Sequence, residues 1–485
     1  MKYILSIDQS TQATKVILFD ETGKLVKRVD KAHKQIISEE GFVSHNPIEI
    51  YENTVDLVKE LLKTTKIQSD NIVALGISNQ RETTVMWDKS GNPLADAVVW
   101  QCSRAIEIAE IYLSYSERIH EITGLQISPY FPACKMKWLI DHIQPKDEYC
   151  LGTIDSWLIY KLTKGTSFKT DATNASRTQL YDIHTGKWSE ELCKLFGIDQ
   201  KNLAEIHDCN AVFGYTDIEG ILPKRIPITA VMGDSHAALY GHGCHKDGQV
   251  KTTLGTGSSI MMNIGTKEKL STNGLSTSVA YSIDGVRTFA IEGNINYAGA
   301  VISWLKNDLE LIEDANETQK IILDSNPGDE TVLIPAFTGL GAPYWNMHAK
   351  AMFYGMTRTT TWKELVKASV ESIAYQITDI LNAMENDTGI SIKEVKADGG
   401  PSKNQYLMQF LAECAQNTVC VSLQEELSAT GVAYMAGLTI GLYQKDNLFH
   451  QLKYDIYQNR FNRSEWQSQM NRWYEAINII QGKGA

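Results

Sequence analysis

No stretch of this chain approaches the roughly 18–20 consecutive apolar residues that a bilayer-spanning helix needs, so no membrane span is expected. The opening apolar run, Tyr3-Ile4-Leu5-Ser6-Ile7, soon meets Asp8 and is too short for the core of a signal peptide. Positive charge is not in excess: the 485 residues carry 46 Lys+Arg against 58 Asp+Glu, a formal net charge of −12. An acidic surface repels phosphate backbones, and no basic patch stands out, so nucleic acid is not an expected partner. Cysteine is sparse, with eight residues and no C-x-x-C pair. A chain this long needs no disulfide staples, and the pattern reads as reduced, mostly buried thiols of a cytoplasmic protein. His236, His242, Cys244 and His245 match no familiar zinc spacing and read as a loop. The common nucleotide fingerprints are also missing. There is no G-x-x-x-x-G-K-[ST], no third glycine to complete a Rossmann pattern, and no H-R-D or D-F-G. Any ATP chemistry here works without a P-loop.

What is present is ordinary globular material, 43% hydrophobic and 21% charged, long enough for two or three domains. Tyr3–Ile7 and Lys15–Phe19 read as strands, joined by the polar stretch Asp8-Gln9-Ser10-Thr11-Gln12-Ala13-Thr14, which is longer than a tight turn requires. Some 245 residues on, roughly half the chain's length, the pattern returns. Gln249–Leu254 is a strand, Gly255-Thr256-Gly257-Ser258-Ser259 a hydroxyl-rich turn, and Ile260–Ile264 the return strand. Gly241 to Gly248, three glycines in eight residues without apolar periodicity, is the candidate crossover. Asn46-Pro47-Ile48-Glu49 has the form of a capped helix start, and Leu365–Met384 carries helical apolar spacing. Strands alternating with helices in both halves predict an α/β protein with two mixed sheets facing one another.

Small hydroxyl-rich turns bind phosphate oxygens through backbone amides and hydroxyls, though one alone is a common surface turn. Two of them, one in each half, point to a nucleotide held between the halves. Ala397-Asp398-Gly399-Gly400-Pro401-Ser402-Lys403-Asn404, a strand running into a double glycine and then a helix, is a third candidate. Asp234 follows the strand Ile226–Met232, and Asn79-Gln80-Arg81-Glu82 follows Ile72–Ile77. Strand ends are where open α/β sheets place their sites. The four polar residues would form a hydrogen-bonding comb for a polyhydroxylated substrate; the plainer reading of Arg81-Glu82 is a solvated surface pair. Trp100 and Tyr130 read either as core aromatics or as sugar-stacking rings, and His236 as a structural residue.

These residues together resemble the FGGY carbohydrate kinase family over nearly the whole chain. The resemblance rests on Asp8-Gln9-x-Thr11, Asn79 to Thr84, Val99-Trp100-Gln101-Cys102, Thr173 to Thr178, Leu254-Gly255-Thr256-Gly257, Phe337 to Trp345 and Asp398-Gly399-Gly400. Two longer signature stretches, Tyr130 to Leu139 and Ala351 to Glu371, add to it. The resemblance implies two actin-like (ribonuclease-H-like) domains, here expected over 1–245 and 246–485, with ATP and substrate in the cleft between them. It implies transfer of the ATP γ-phosphoryl group to a terminal hydroxyl of a small polyol, glycerol first. Thr11, Gln12, Ala13 and Lys15, and Thr256 from the other domain, would contact the phosphates; Gly299, Ser303, Gly400 and Asn404 would hold the adenosine. Asp8 would position Mg²⁺. Arg81, Glu82, Trp100, Tyr130 and Asp234 would surround the polyol, with Asp234 as general base. Homodimers and homotetramers are common in the family.

The chain departs from glycerol-phosphorylating members at several positions. Ser235 and His236 stand where two Gln usually follow the catalytic Asp, and Ser258-Ser259 where Cys-Phe usually ends the phosphate turn. Ser10, Lys15 and Ser303 replace Gly, Arg and Gln but keep the polar character. Ser235 and Ser259 remove volume, and the second replaces an apolar wall with a hydroxyl. That leaves room for a four- or five-carbon polyol or ketose as the alternative substrate. A non-catalytic actin-like ATP-binding protein is the remaining alternative, against which the intact Arg81, Glu82 and Asp234 argue.

Overall fold

The structure is a computed structural model and describes residues 1–482. Each half of the chain builds one large mixed sheet. In the first, β1 (Tyr3–Gln9), β2 (Ala13–Asp20) and β3 (Leu25–Ala32) form an antiparallel meander. β4 (Ile72–Asn79) lies parallel on the other side of β1. The short β5 (Gly214–Thr216) and β6 (Ile226–Gly233) complete the order β5-β6-β4-β1-β2-β3. The second sheet comprises β7 (Gln249–Leu254), β8 (Ser258–Gly265), β9 (Ser276–Ile283), β10 (Val286–Ile295), β11 (Glu394–Gly399), β12 (Thr418–Ser422) and β13 (Tyr454–Tyr457). Its order is β9-β10-β8-β7-β11-β12-β13. Both sheets share one inner arrangement. An antiparallel hairpin is extended on the side of its first strand by two parallel strands, β4 and β6 in one case, β11 and β12 in the other. The two halves are thus alike in architecture without being alike in sequence.

All seven residues of β1 are buried, as a parallel strand covered on both faces must be. Side-chain alternation divides them between two partners. Tyr3, Leu5 and Ile7 pack with Ile50, Val55, Val58 and Leu61 of α1 (Pro47–Thr65). That helix starts where its sequence says: the Asn46 side chain accepts from the amides of Ile48 and Glu49, with Pro47 at the first position. Ile4, with Ile17 and Phe19 of β2, packs instead against Val432, Ala433 and Ala436, which belong to the other half of the chain.

The cross-packing uses two helices, α2 (Asp234–Gly241) after β6 and α4 (Leu427–Thr439), with the long capped α3 (Trp362–Thr388) between them in sequence. α2 and α4 meet glycine to glycine. A Cβ on Gly431 would lie 2.0 Å from the Ala237 carbonyl oxygen, and one on Gly241 would lie 2.3 Å from that of Leu427. Backbone meets backbone there, so neither helix can yield by turning a side chain.

The strand ends fix where the loops fall. Gln9 on β1 pairs with Asn79 on β4, which pairs with Gly233 on β6, so three parallel strands stop level and their following loops share one edge. Leu254 on β7 and Gly399 on β11 do the same in the second sheet. The polar connection in the first hairpin is shorter than the sequence predicts. Asp8 pairs with Lys15 and Gln9 with Thr14, leaving Ser10-Thr11-Gln12 as the turn.

Gly431→Ala is expected to destabilise the protein by about 1–3 kcal/mol through overpacking of the α2–α4 contact, read as a lowered denaturant midpoint.

Candidate active site

The level strand ends of the two sheets face each other across a cavity of about 760 Å³. Thr11 and Gln12 enter it from the β1–β2 turn, Arg81 and Glu82 from the end of β4, and Asp234 and Ser235 from the end of β6. Trp100 and Tyr130 form a side wall, their rings edge to face at 5.6 Å. Opposite stand Gly255 to Gly257 of the β7–β8 turn, with Asn294 and Asn296 at the end of β10; Ser258 and Ser259, expected in that turn, instead open β8, paired with Leu254 and Thr253, and line the same wall.

A second cavity of about 330 Å³ brings together Gly299, Ser303, Gly400 and Asn404, the four residues expected to hold an adenosine. Asn404 is partly committed there: its side chain caps the following helix and donates to Thr318 Oγ1 at 3.0 Å. A third cavity, about 620 Å³, holds Asp8, Lys15, Asp398, Gly400 and Glu426.

Arg81 and Glu82 are 6% and 2% exposed, so they are not a solvated surface pair. Two buried side chains of opposite sign persist only if each has its own counter-charge. Arg81 gives both terminal nitrogens to Glu292, Nη1 to Oε2 at 2.8 Å and Nη2 to Oε1 at 2.7 Å, the fork-to-fork geometry suited to guanidinium and carboxylate. Its Nε lies 3.4 Å from Asp234 Oδ1. Glu82 receives Arg177 Nε at 2.6 Å, and Arg177 Nη1 lies 2.9 Å from Glu292 Oε2. Burial opposes ionisation of Glu292, but Arg81 and Arg177 outweigh it and hold the carboxyl well below its usual range. Glu82 takes a left-handed backbone with φ of 62°, and its side chain is held by Arg177.

The comb expected from Asn79 to Glu82 is only half a comb. Asn79 exchanges amide hydrogen bonds with Asn174, and Gln80 is engaged with Gln9 Oε1, His45 and Thr83, so both face inward. Asp234 keeps 33% of its side chain open to the cleft, yet desolvation, partly offset by Arg81, lifts its carboxyl to about 6. His236 is fully buried with Nε2 3.2 Å from Ser278 Oγ and takes no place in the cleft wall.

Other expected residues sit less simply. Lys15 turns from the Thr11 cavity to Glu426, 2.6 Å away, and Asp8, 3.5 Å away; Arg28 also bonds Glu426. Ala13 contributes its carbonyl, which accepts from the Ser10 amide and hydroxyl, rather than a surface to the cleft. Ser259 lines the cavity, but its hydroxyl donates to Glu292 Oε1 at 2.8 Å and accepts from Lys251 Nζ at 3.2 Å. Trp100 does more than line a wall. Its indole N–H donates to Thr11 Oγ1 at 2.9 Å, and since indole nitrogen only donates, the Thr11 hydroxyl keeps its own proton for another acceptor. All eight cysteines are free and buried, as expected, and among the described residues no group of three His, Cys, Asp or Glu side chains is placed to hold a metal.

Sequence reading missed Glu292, Lys251 and Glu426. The first two had a signal: each is a lone charge inside an otherwise apolar or uncharged strand, Val286–Ile295 and Gln249–Leu254 apart from their ends. Such a residue is buried with a partner or not a strand residue at all.

Comparison with known proteins agrees with this geometry. The pattern of the FGGY family of carbohydrate kinases, N-terminal domain, matches residues 3–241, and that of the C-terminal domain matches residues 250–440. The chain belongs to the FGGY family of carbohydrate kinases. Within it, the chain is 45% identical over 450 residues to glycerol kinase 1 of Thermotoga maritima, covering 91% of each protein. It is 39% identical over 488 residues to the glycerol kinase of Alkaliphilus oremlandii, covering 98% of this chain and 97% of that protein. Among solved structures, Plasmodium falciparum glycerol kinase with ADP superposes with a TM-score of 0.93 at 34% identity, over 99% of this chain and 98% of that one. A xylulose kinase from Lactobacillus acidophilus, 21% identical, has the same fold with a TM-score of 0.90 over 99% of this chain and 98% of that one.

Removing Arg177 leaves Glu82 buried without its partner. Arg177→Ala is therefore expected to cost about 3–5 kcal/mol of stability, measured by equilibrium unfolding.

Proposed function

We propose that this protein transfers the γ-phosphoryl group of ATP to a terminal hydroxyl of glycerol, forming glycerol 3-phosphate and ADP. The observation that carries the reading is Asp234. It stands at a level strand end beside Arg81 and Glu82, facing the small Gly255–Gly257 turn, in a chain that is 45% identical to a named glycerol kinase.

The acceptor lies against Trp100 and Tyr130, with Arg81 and Glu82 meeting its hydroxyls. Asp234 accepts the proton of the attacking hydroxyl. As the new P–O bond forms, the bond from γ-phosphorus to the bridging oxygen breaks and ADP leaves with the electron pair. Phosphoryl transfer asks a protein chiefly for positioning and charge stabilisation, which the Thr11 hydroxyl and the Thr256 turn supply from opposite walls. The adenosine sits in the cavity lined by Gly299, Ser303, Gly400 and Asn404.

Asp8 fits a Mg²⁺ role. Its Oδ1 is buried with no hydrogen-bond partner, and a single carboxylate suits an ion that is otherwise held by phosphate oxygens and water. Asp8 would hold the ion, which when bound neutralises phosphate charge.

A second reading, a four- or five-carbon polyol or ketose as acceptor, has its own support. Ser235, Asn294 and Asn296 line the same cavity, and their side chains make no hydrogen bond to the protein among the described residues. They are free to meet hydroxyls beyond the third carbon.

ADP release with Mg²⁺-ATP against glycerol, erythritol, pentitols, dihydroxyacetone and ketoses decides between the two. The highest kcat/KM is expected for glycerol, and a better longer acceptor overturns the choice. Asp234→Asn is expected to lower kcat by about 10²–10⁴-fold while ATP binding survives, and undiminished turnover removes Asp234 as the base. A base works only when ionised. With the carboxyl at about 6, kcat/KM should therefore hold above that pH and fall about tenfold per unit below it, read from a pH–rate profile.

A further inference from the structure

We propose that Glu292 is the positioning residue for Arg81, so that the acceptor site is assembled by both lobes together and not by the first lobe alone. The inference rests on the reading above that Arg81 meets the acceptor.

Glu292 lies in the middle of β10, on the second sheet, and its side chain has no exposed surface. Along its strand the next residue on the same face is Asn294, which pairs across with Ser259 on β8. The second lobe therefore carries Ser259, Glu292 and Asn294 on one face of its sheet, at the end that meets the end of β4. Glu292 Oε1 receives Arg81 Nη2 and the Ser259 hydroxyl, and Oε2 receives Arg81 Nη1 with Arg177 Nη1 close by. Lys251, also buried, stands behind Ser259. With both terminal nitrogens bound, the guanidinium plane is fixed, and only its Nε edge and outer N–H groups remain for the cleft.

Without that clamp the nearest anion in the cleft is Asp234, 3.4 Å from Nε. Asp234 is also faced by Glu82, Asp8 and Lys251. A released Arg81 would close on Asp234 and leave the acceptor hydroxyl without its donor. Ser259 then has a role different from a widened pocket: its hydroxyl holds the carboxylate that holds Arg81.

The test is steady-state kinetics with glycerol on folded variants. Glu292→Gln is expected to raise the glycerol KM by about tenfold or more while the ATP KM moves less than about twofold, because only one substrate meets Arg81. In an Arg81→Ala background the same substitution should change the glycerol KM by less than about twofold, since the two residues act as one unit. Should Glu292→Gln fail to fold, Ser259→Ala carries the test. It is expected to raise the glycerol KM by about two- to fivefold, an effect that disappears in the Arg81→Ala background. An unchanged glycerol KM, equal shifts in both KM values, or effects that multiply fully with Arg81→Ala would overturn the proposal. A parent protein that phosphorylates none of the acceptors overturns the functional reading and this one with it. A working parent with an indifferent Glu292 overturns this one alone.

Discussion

Glu292 carries a full negative charge at a point with no access to water, and a protein interior accepts that only where cations are aimed at it. Both cations come from the other lobe, Arg81 from the end of β4 and Arg177 from a segment 95 residues further along than Glu82, its other partner. Much of the cleft follows from this requirement. The lobes must stand close enough for a bidentate contact, β10 must carry Glu292 to the gap, and Arg177 must reach both Glu292 and Glu82. Replacing such a cluster with apolar residues of similar size is often neutral or stabilising, so stability alone does not account for it. Its value lies in orientation.

Geometry elsewhere serves the same end by a simpler device. Parallel strands that finish level deliver their next residues to one place. That is how Thr11, Arg81 and Asp234, more than two hundred residues apart from first to last, come to share a wall. The second sheet repeats the device with Leu254 and Gly399, which sets the β7–β8 turn beside the double glycine.

The parts of this arrangement that depend on local pattern were legible in the sequence. The β1–β2 and β7–β8 hairpins, the Asn46 cap, the strand leading into Asp234 and the strand–double-glycine–helix unit at Gly399 all announce themselves through apolar runs and their punctuation. The first turn is shorter than its polar stretch suggests because Asp8, Gln9 and Thr14 are polar yet still pair as strand residues. The partners of charged residues were not legible. Whether Arg81-Glu82 faces solvent or is buried depends on Glu292, 211 residues away, and the setting of Lys15 depends on Glu426, 411 residues away. No local rule reports a counter-charge at that distance. Family resemblance named Lys15 and Ser259 by position, but it could not say that both are already engaged by their neighbours.

The docking of α4 on the first sheet has a consequence for how the molecule is made. Ile4, Ile17 and Phe19 leave the ribosome more than four hundred residues ahead of Val432, Ala433 and Ala436, which cover them. At about 5–20 residues per second, the delay between them is on the order of 20–90 seconds. Once β6 has emerged, the first sheet has one covered face and one apolar face that still waits for α4. The first lobe is therefore begun early and completed late, and that open face is the surface a holding chaperone would have reason to cover.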